Sequence, residues 1–429
     1  MRTRLSMGTV AAALFTVAAL QAGNVAPANA GHHHTPAPPL PPVQVIPPVN
    51  VRDFGAVGDG ATDDSTSIQN AANAALANNR SLFFPPGAYL HNSTLTFNGI
   101  VVTGSGASCV LQAGDPKNTA VILTGANVSI QNIVLSSSGL TGSSNGLQPN
   151  TATVLVKTAT QFTVANDTIV QGPGRFGVFL QRSSVGNVSA IAFDGTGTSG
   201  DDGVVIDGCF NVSVVGNLFQ NEDQGVVLFP FSGLLSGFGS QFISIMGNSF
   251  GNVTYPMLRA AVNDFQSNTL SVVQNVVQMA NSSNGTAGVS LNNDVNVFVT
   301  GNQIWGGYNG VVSSTTLQAS GPNTVTGNFI RNAGSAGLAL SALLAKNATQ
   351  FVGNQLGECG LQDTSLNAAA VSALGSATNM AAVQIMNNSY QGHQNLLLNY
   401  IYAPNVPGMN VSGNTQGPNV IGLPIVTGP

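Results

Sequence analysis

The stretch Val297-Phe298-Val299-Thr300-Gly301-Asn302-Gln303-Ile304 decides the fold, because the same phrase returns one turn later as Asn323-Thr324-Val325-Thr326-Gly327-Asn328-Phe329-Ile330. Each copy alternates apolar with small polar residues and then closes on Gly-Asn or a near equivalent. The closing asparagines stand at Asn132, Asn166, Asn217, Asn248, Asn275, Asn302, Asn328, Asn354, Asn388 and Asn414. By subtraction the steps are 34, 51, 31, 27, 27, 26, 26, 34 and 26, the 51 containing a degenerate turn near Phe193. Two residues after the asparagine an apolar side chain usually follows (Phe219, Phe250, Val277), and a second apolar strand comes later, as in Val226-Val227-Leu228. A period in the twenties to thirties, made of short β-branched strands between Gly/Asn/Ser turns, marks a solenoid.

Helical solenoids are excluded by composition: the chain has two glutamates and three lysines, while Gly, Asn, Ser, Val and Thr dominate, and these suit strands and left-handed turns. A β-sandwich with coincidental spacing is the alternative. In a β-solenoid, asparagine at a fixed turn tolerates left-handed backbone and hydrogen-bonds to the asparagine one coil away, which stiffens the stack. The expectation is an all-β, right-handed parallel β-helix of about ten coils.

Only 6% of the 429 residues are charged and the net charge is -5, which argues against a nucleic-acid partner, since that needs a basic patch. Arg2 and Arg4, an apolar run from Met7 to Leu20 and Ala28-Asn29-Ala30 read as an export signal over residues 1–30, placing the protein in a secreted or periplasmic setting. No other stretch approaches the roughly 18 apolar residues of a membrane span. Residues 31–49 are a Pro-rich linker containing His32-His33-His34, read as a solvated tail. Residues 50–429 are the β-helix domain, and a tail from about Pro404 to Pro429 is expected to cover its last coil. Cys109, Cys209 and Cys359, odd in number and far apart, read as buried single thiols.

Before the repeats, Thr62-Asp63-Asp64 offers N-cap oxygens and Ile68, Ala71, Ala72, Ala75 and Leu76 follow at helical spacing until Asn78-Asn79. An amphipathic helix there would cap the open end of the solenoid. The phrase Asp53-Phe54-Gly55-Ala56-Val57-Gly58-Asp59-Gly60, with Thr62-Asp63-Asp64, Ile68-Gln69 and Phe84-Pro85-Pro86-Gly87-Ala88-Tyr89, resembles the opening of the pectate-lyase-like superfamily. That group includes polygalacturonases, rhamnogalacturonases and phage tailspikes. The resemblance is dense over residues 51–90 and rung-like beyond. It implies a single-stranded right-handed β-helix, usually acting on polysaccharides, but not which chemistry.

Six of the sixteen acidic residues fall close together: Asp194, Asp201, Asp202, Asp207, Glu222 and Asp223. Aligning Val178-Phe179-Leu180 with Val204-Val205-Ile206 and Val226-Val227-Leu228 puts Arg175, Asp201 and Asp223 three residues before their strands, in one column about 4.8 Å apart per coil. Stacked carboxylates repel, so one pKa rises unless a cation lies between them. A raised pKa suits a general acid, and a bound Ca²⁺ would suit metal-assisted proton abstraction. Arg175 could neutralise one carboxylate or bind an acidic sugar. Polygalacturonases carry an Asp in Asn-Thr-Asp-Gly and an Asp pair one coil later. The matching residues here are Asp202 and Asp223, with Gln224 in place of the second aspartate of the pair. No Gly-His-Gly or Arg-Ile-Lys follows, the nearest basic residue being Arg259, so a polygalacturonase is not expected. Candidate catalytic residues are therefore Asp201, Asp202, Asp223 and Arg175. Candidate substrate contacts are Arg182, Lys157, Trp305 and Tyr308. No metal ligand is assigned, and Ca²⁺ stays open. The expected function is cleavage of an acidic, pectin-like polysaccharide by hydrolysis or β-elimination. The alternative is a non-catalytic adhesin or polysaccharide binder, monomeric or homotrimeric.

Overall fold

The computed structural model describes residues 46–115, 119–142, 151–229, 239–251, 259–279, 285–315, 320–342, 346–360, 369–375, 383–391, 401–403, 410–416 and 426–427. The expected signal peptide, nearly all of the Pro-rich linker and most of the Pro404–Pro429 tail lie outside the described residues.

Three parallel sheets of 14, 14 and 13 strands run along the molecule, and each coil contributes one strand to each sheet in turn. The coil holding Asp202 shows the order: Ser184–Ser189 in the first sheet, Ala192–Asp194 in the second, Asp202–Asp207 in the third. All the strand pairs are parallel and join chain-distant residues, for example Val178↔Val204 and Val204↔Val226. That register is the one the aligned apolar triplets predict. Within the asparagine-marked band the first sheet has eleven strands, from Ser129–Gln131 to Asn410–Ser412. They correspond to the ten asparagine phrases and the degenerate turn before Phe193. The β-solenoid expectation holds, and the sandwich alternative fails.

The core is one continuous column. In the first sheet alternate residues such as Val212 and Val214 are buried, as period-2 strands require, whereas the third-sheet strand Asp202–Asp207 is buried throughout, Val205 joining Leu155, Phe176 and Phe179 in a smaller cluster apart from the main core. Phe193, Phe219 and Phe250 stack face to face inside the second sheet, with centroids 4.7 Å apart at each step and planes within 5°. Sequence separation between contacts is large but contact is made only between adjacent coils, so stability is a sum of nearest-neighbour terms.

From Asn248 to Asn414 each ladder asparagine accepts, at its side-chain oxygen, both the backbone N–H and the side-chain N–H of the asparagine one coil earlier, while Asn217, at the start, accepts the N–H of Ile191. Asn302 shows the set: Oδ1 takes Asn275 N and Nδ2 at 2.9 Å each, while its own Nδ2 donates to Val272 O and Asn328 Oδ1. The ladder residues themselves are not the left-handed ones. The residue before them is, usually glycine, as at Gly216, Gly301 and Gly327. This shifts the expected register at the start of the band. Asn132 and Asn166 occupy the left-handed slot (φ 60 and 57), and the ladder slot of those coils holds Ile133 and Asp167. Asp167 nonetheless does the ladder's job with one oxygen, accepting the N–H of Ile133 at 2.9 Å.

The cap helix spans Ser65–Ala77 and buries Ile68, Ala71, Ala72 and Ala75, while Leu76 is 42% exposed. Asp64 stands at its N-cap without a capping bond; instead its carboxylate accepts the N–H groups of Val57 and Gly58. Asp63, one of the three residues expected to offer capping oxygens, receives the Ser65 N–H at 3.0 Å. Asp59 accepts from Ala61 and Thr62. Asp59, Asp63 and Asp64 are thus turn-makers. Among the described residues no helix is long and apolar enough to cross a membrane. Cys109, Cys209 and Cys359 are free and buried.

Candidate active site on the third sheet

The acidic cluster forms where the corner from the second sheet enters the third. Val226 pairs with Val262, so Arg259 is the fourth member of the Arg175, Asp201, Asp223 column. Subtracting three from Val311, which pairs with Val289 and Leu338, places Tyr308 in the same column. It lies three coils beyond Asp223, roughly 14 Å at strand spacing. The backbone column is therefore real, but its side chains diverge.

Asp201 is fully buried and spent on turn formation. Its carboxylate accepts Gly174 N at 2.5 Å, Thr196 N at 2.9 Å, Thr198 N at 3.0 Å and the hydroxyls of both threonines. Asp223 accepts Gly200 N at 2.8 Å and both arms of the Arg259 guanidinium, Nε at 2.6 Å and Nη2. This is a bidentate ion pair with one buried partner and one half exposed (0% and 49%). Arg175 is buried and turns the other way, donating to Ala152 O at 3.3 Å one coil earlier. Burial lowers its pKa to about 10 despite the field of Asp115. It does not face the acid pair.

Asp202 differs from its neighbours. It is 4% exposed, and among the described residues its hydrogen-bond chain runs to the surface over three coils. Gln224 Nε2 donates to Asp202 Oδ1 at 3.2 Å, and Asn263 Nδ2 donates to Gln224 Oε1 at 2.6 Å. Asn263 alternates with core-facing Val262, which puts this chain on the outer side of the sheet. Burial, then the Asp223 charge, raise the Asp202 pKa to about 7, with Arg259 opposing. The local backbone follows from a column of glycines. A Cβ on Gly203 would stand 2.5 Å from the Phe219 ring, and one on Gly225 would stand 2.3 Å from Phe250. The stacked phenyls thus press directly on the backbone beside Asp202 and Gln224, fixing where both side chains emerge.

Behind this face, Gln171 Nε2 donates to Arg175 O, Asp202 O and Glu222 Oε2 at 2.8, 3.3 and 3.3 Å. Burial and the nearby Asp201 and Asp202 charges push the Glu222 carboxyl well above its usual range, which makes it a neutral hydrogen-bonding group.

The remaining candidates are dispersed. Lys157 pairs with Gln181 at the far end of the third sheet, and Arg182 follows Gln181 in a left-handed turn (φ 49). Trp305 lies in the second sheet, edge-on to Phe329 at 6.2 Å, with Arg331 over that ring. A Ca²⁺ between Asp201 and Asp223 does not fit, because both carboxylates are filled by N–H donors and Arg259. Among the described residues no three His, Cys, Asp or Glu side chains converge as a metal cage. Glu222, Gln224 and Arg259 were noticed in the sequence but given no role at the site, and Asn263 and Gln171 were not noticed. Extending the strand alignment one coil would have placed Arg259, and reading it two residues before each strand pairs Asp202 with Gln224.

This architecture, one chain wound into three parallel sheets with a polar cluster at the mouth of one, defines the single-stranded parallel β-helix proteins. Residues 48–230 match the family described as rhamnogalacturonase A/epimerase, pectate lyase-like, in keeping with the resemblance of the opening phrase. No curated protein sequence matches it. Among solved structures it is similar to the catalytic unit of an α-1,3-glucanase from Streptomyces thermodiastaticus, at TM-score 0.65 and 15% identity over 86% of this chain and 69% of that one. An exopolygalacturonase from Thermotoga maritima is similar at TM-score 0.54 and 13% identity, covering 89% and 92%. The surface adhesin PfbA of Streptococcus pneumoniae is similar at TM-score 0.55 and 14% identity, covering 80% and 91%. These likenesses establish the right-handed β-helix fold.

Proposed function

We propose that the protein is an exported enzyme that hydrolyses a polysaccharide, with Asp202 as the proton donor. The observation that carries this is a carboxyl with a pKa of about 7 on the outer side of the third sheet, beside the Asp223–Arg259 ion pair. Near neutrality Asp202 gives its proton to the leaving glycosidic oxygen as that bond breaks. Water supplies the hydroxyl to the sugar carbon, and Asp223, when Arg259 turns to the substrate, takes the proton that the water loses. Elimination is disfavoured, because it needs a base and the only guanidinium at the pair, among the described residues, is held by Asp223 with its pKa raised. Arg259, half exposed, is the group on which an acidic, pectin-like substrate would dock. Tyr308, farther along the same edge, would contact more distant sugars. The signal at residues 1–30 and the surface adhesin among similar folds support an extracellular setting.

The saturation of Asp201 and Asp223 favours one other reading, a polysaccharide binder without catalysis. The deciding experiment assays the purified chain and Asp202→Asn on polygalacturonate, rhamnogalacturonan and α-1,3-glucan, following reducing ends together with ultraviolet absorbance of unsaturated product. Hydrolysis predicts reducing ends alone, lost in Asp202→Asn. Unsaturated product, or equal rates in both proteins, would sink the assignment, and silence on all three with retained binding would favour the binder.

A further inference from the structure

We infer that the first sheet carries a second, separate carbohydrate site, one for a neutral, hydroxyl-rich glycan chain. None of its fourteen strands contains Asp, Glu, Lys, Arg or His, whereas the third sheet carries Lys157, Asp202, Asp207 and Asp264. Its outward column in the central coils reads Thr163, Asn187, Ser213, Ser244 and Ser271, each half-buried and each paired with the next. Hydroxyls and amides of this kind both donate and accept, as sugar hydroxyls do, and they repeat at the strand spacing of about 4.8 Å.

A groove is cut into that face. Gln161, Val185 and Asn211 are left-handed (φ 57, 53 and 55), so successive strands kink at one place. Together with Thr163, Asn187 and Ser213 they line an open depression of about 390 Å³. Gly186 lies in its floor, and a Cβ there would meet the Phe162 ring at 2.3 Å. The side-chain oxygen of Asn187, in the lining, is buried without a hydrogen-bond partner among the described residues, an acceptor that a turn of the amide would offer to a ligand hydroxyl. Beside Asn211, Phe210 and Phe242 stand 48% and 51% exposed and meet edge to face at 5.2 Å. Exposed rings next to uncharged amides suit the apolar face and the hydroxyl edge of a pyranose. An acidic glycan, in contrast, finds no cation among the described strand residues of this face. The site lies on a different sheet from Asp202, so it stands or falls apart from the hydrolysis proposed above.

The test sediments the full chain with insoluble cellulose, xylan and starch, at low and high salt, beside Phe242→Ala, Ser213→Lys and Asp202→Asn, with circular dichroism melts as a folding control. The expected result is retention on at least one of these polymers that salt does not weaken. Retention should fall about tenfold in Phe242→Ala and Ser213→Lys and stay unchanged in Asp202→Asn. No retention on any of the three, or equal retention by the two face variants, overturns the inference. Self-association of the parent chain that Ser213→Lys abolishes, without retention, also overturns it and assigns the face to a second copy of the chain.

Discussion

Asp202 and Asp167 are two buried carboxylic acids whose surroundings hold them protonated for different ends. Asp202 has a folded-state pKa of about 7 against roughly 4 unfolded, so the folded state binds the extra proton between those values and stability falls as pH rises through that window. Activity that needs the protonated form falls in the same direction, and a pH–rate profile should lose its alkaline side near 7. Asp167 sits in a slot made for asparagine, and burial raises its pKa well above normal. Asp167→Asn should therefore stabilise by about 1–2 kcal/mol, a gain that grows as pH rises above 4 and is read as a widening difference in Tm. A smaller change elsewhere should cost more: Gly203→Ala drives a methyl against Phe219 and the Gly225 carbonyl, and destabilisation of about 1–3 kcal/mol with loss of activity is expected in denaturant melts. The acidic residues were conspicuous in so uncharged a sequence, and their column was readable from the strand triplets. Which carboxylate was spent on turn N–H groups and which kept a labile proton was not, since that depends on Thr196, Thr198 and Arg259 arriving from other positions.

The asparagine ladder is the element that the sequence displayed most openly. Its period needed no structure, because each copy repeats the same local grammar. Its register at the start did need one, since asparagine serves equally well in the left-handed slot and in the ladder slot, and Asn132 and Asn166 turned out to hold the former. Asn302→Ala would leave buried donors on Asn275 and a bare carbonyl at Val272, and a loss of about 3 kcal/mol is expected in chemical denaturation. Asn414→Ala, where the ladder ends in a less buried coil, removes only bonds to Asn388 and Ile385 and should cost about half as much. Equal costs would mean that the bonds are not cooperative along the stack.

Across the whole molecule, a stack of nearest-neighbour coils opens where one interface is weakest. Asp264 lies between Leu228 and Leu291, in a buried column that holds one other polar residue nearby, Ser313. It hydrogen-bonds Ser267 and Asp294, and burial raises its pKa to about 7 and that of Asp294 well beyond normal. Both acids are protonated in the folded state at a pH where the unfolded chain has lost both protons, so stability falls as pH rises from about 4. Hydrogen exchange at pH 8 should show faster opening of strands 260–265 and 287–292 than of strands 176–181, and Asp264→Leu should remove the difference. The same modularity gives the molecule an adjustable length. Residues 303–328 run from just after one ladder asparagine to the next and make a single turn that holds none of the acid cluster. Excising them should join Asn302 to Phe329 in register, leaving a protein shorter by one strand spacing, with its acid cluster intact, the contact at Tyr308 lost and its melting little changed. In such a chain the turn is a unit of inheritance, and reach along a polymer can be gained or lost a turn at a time.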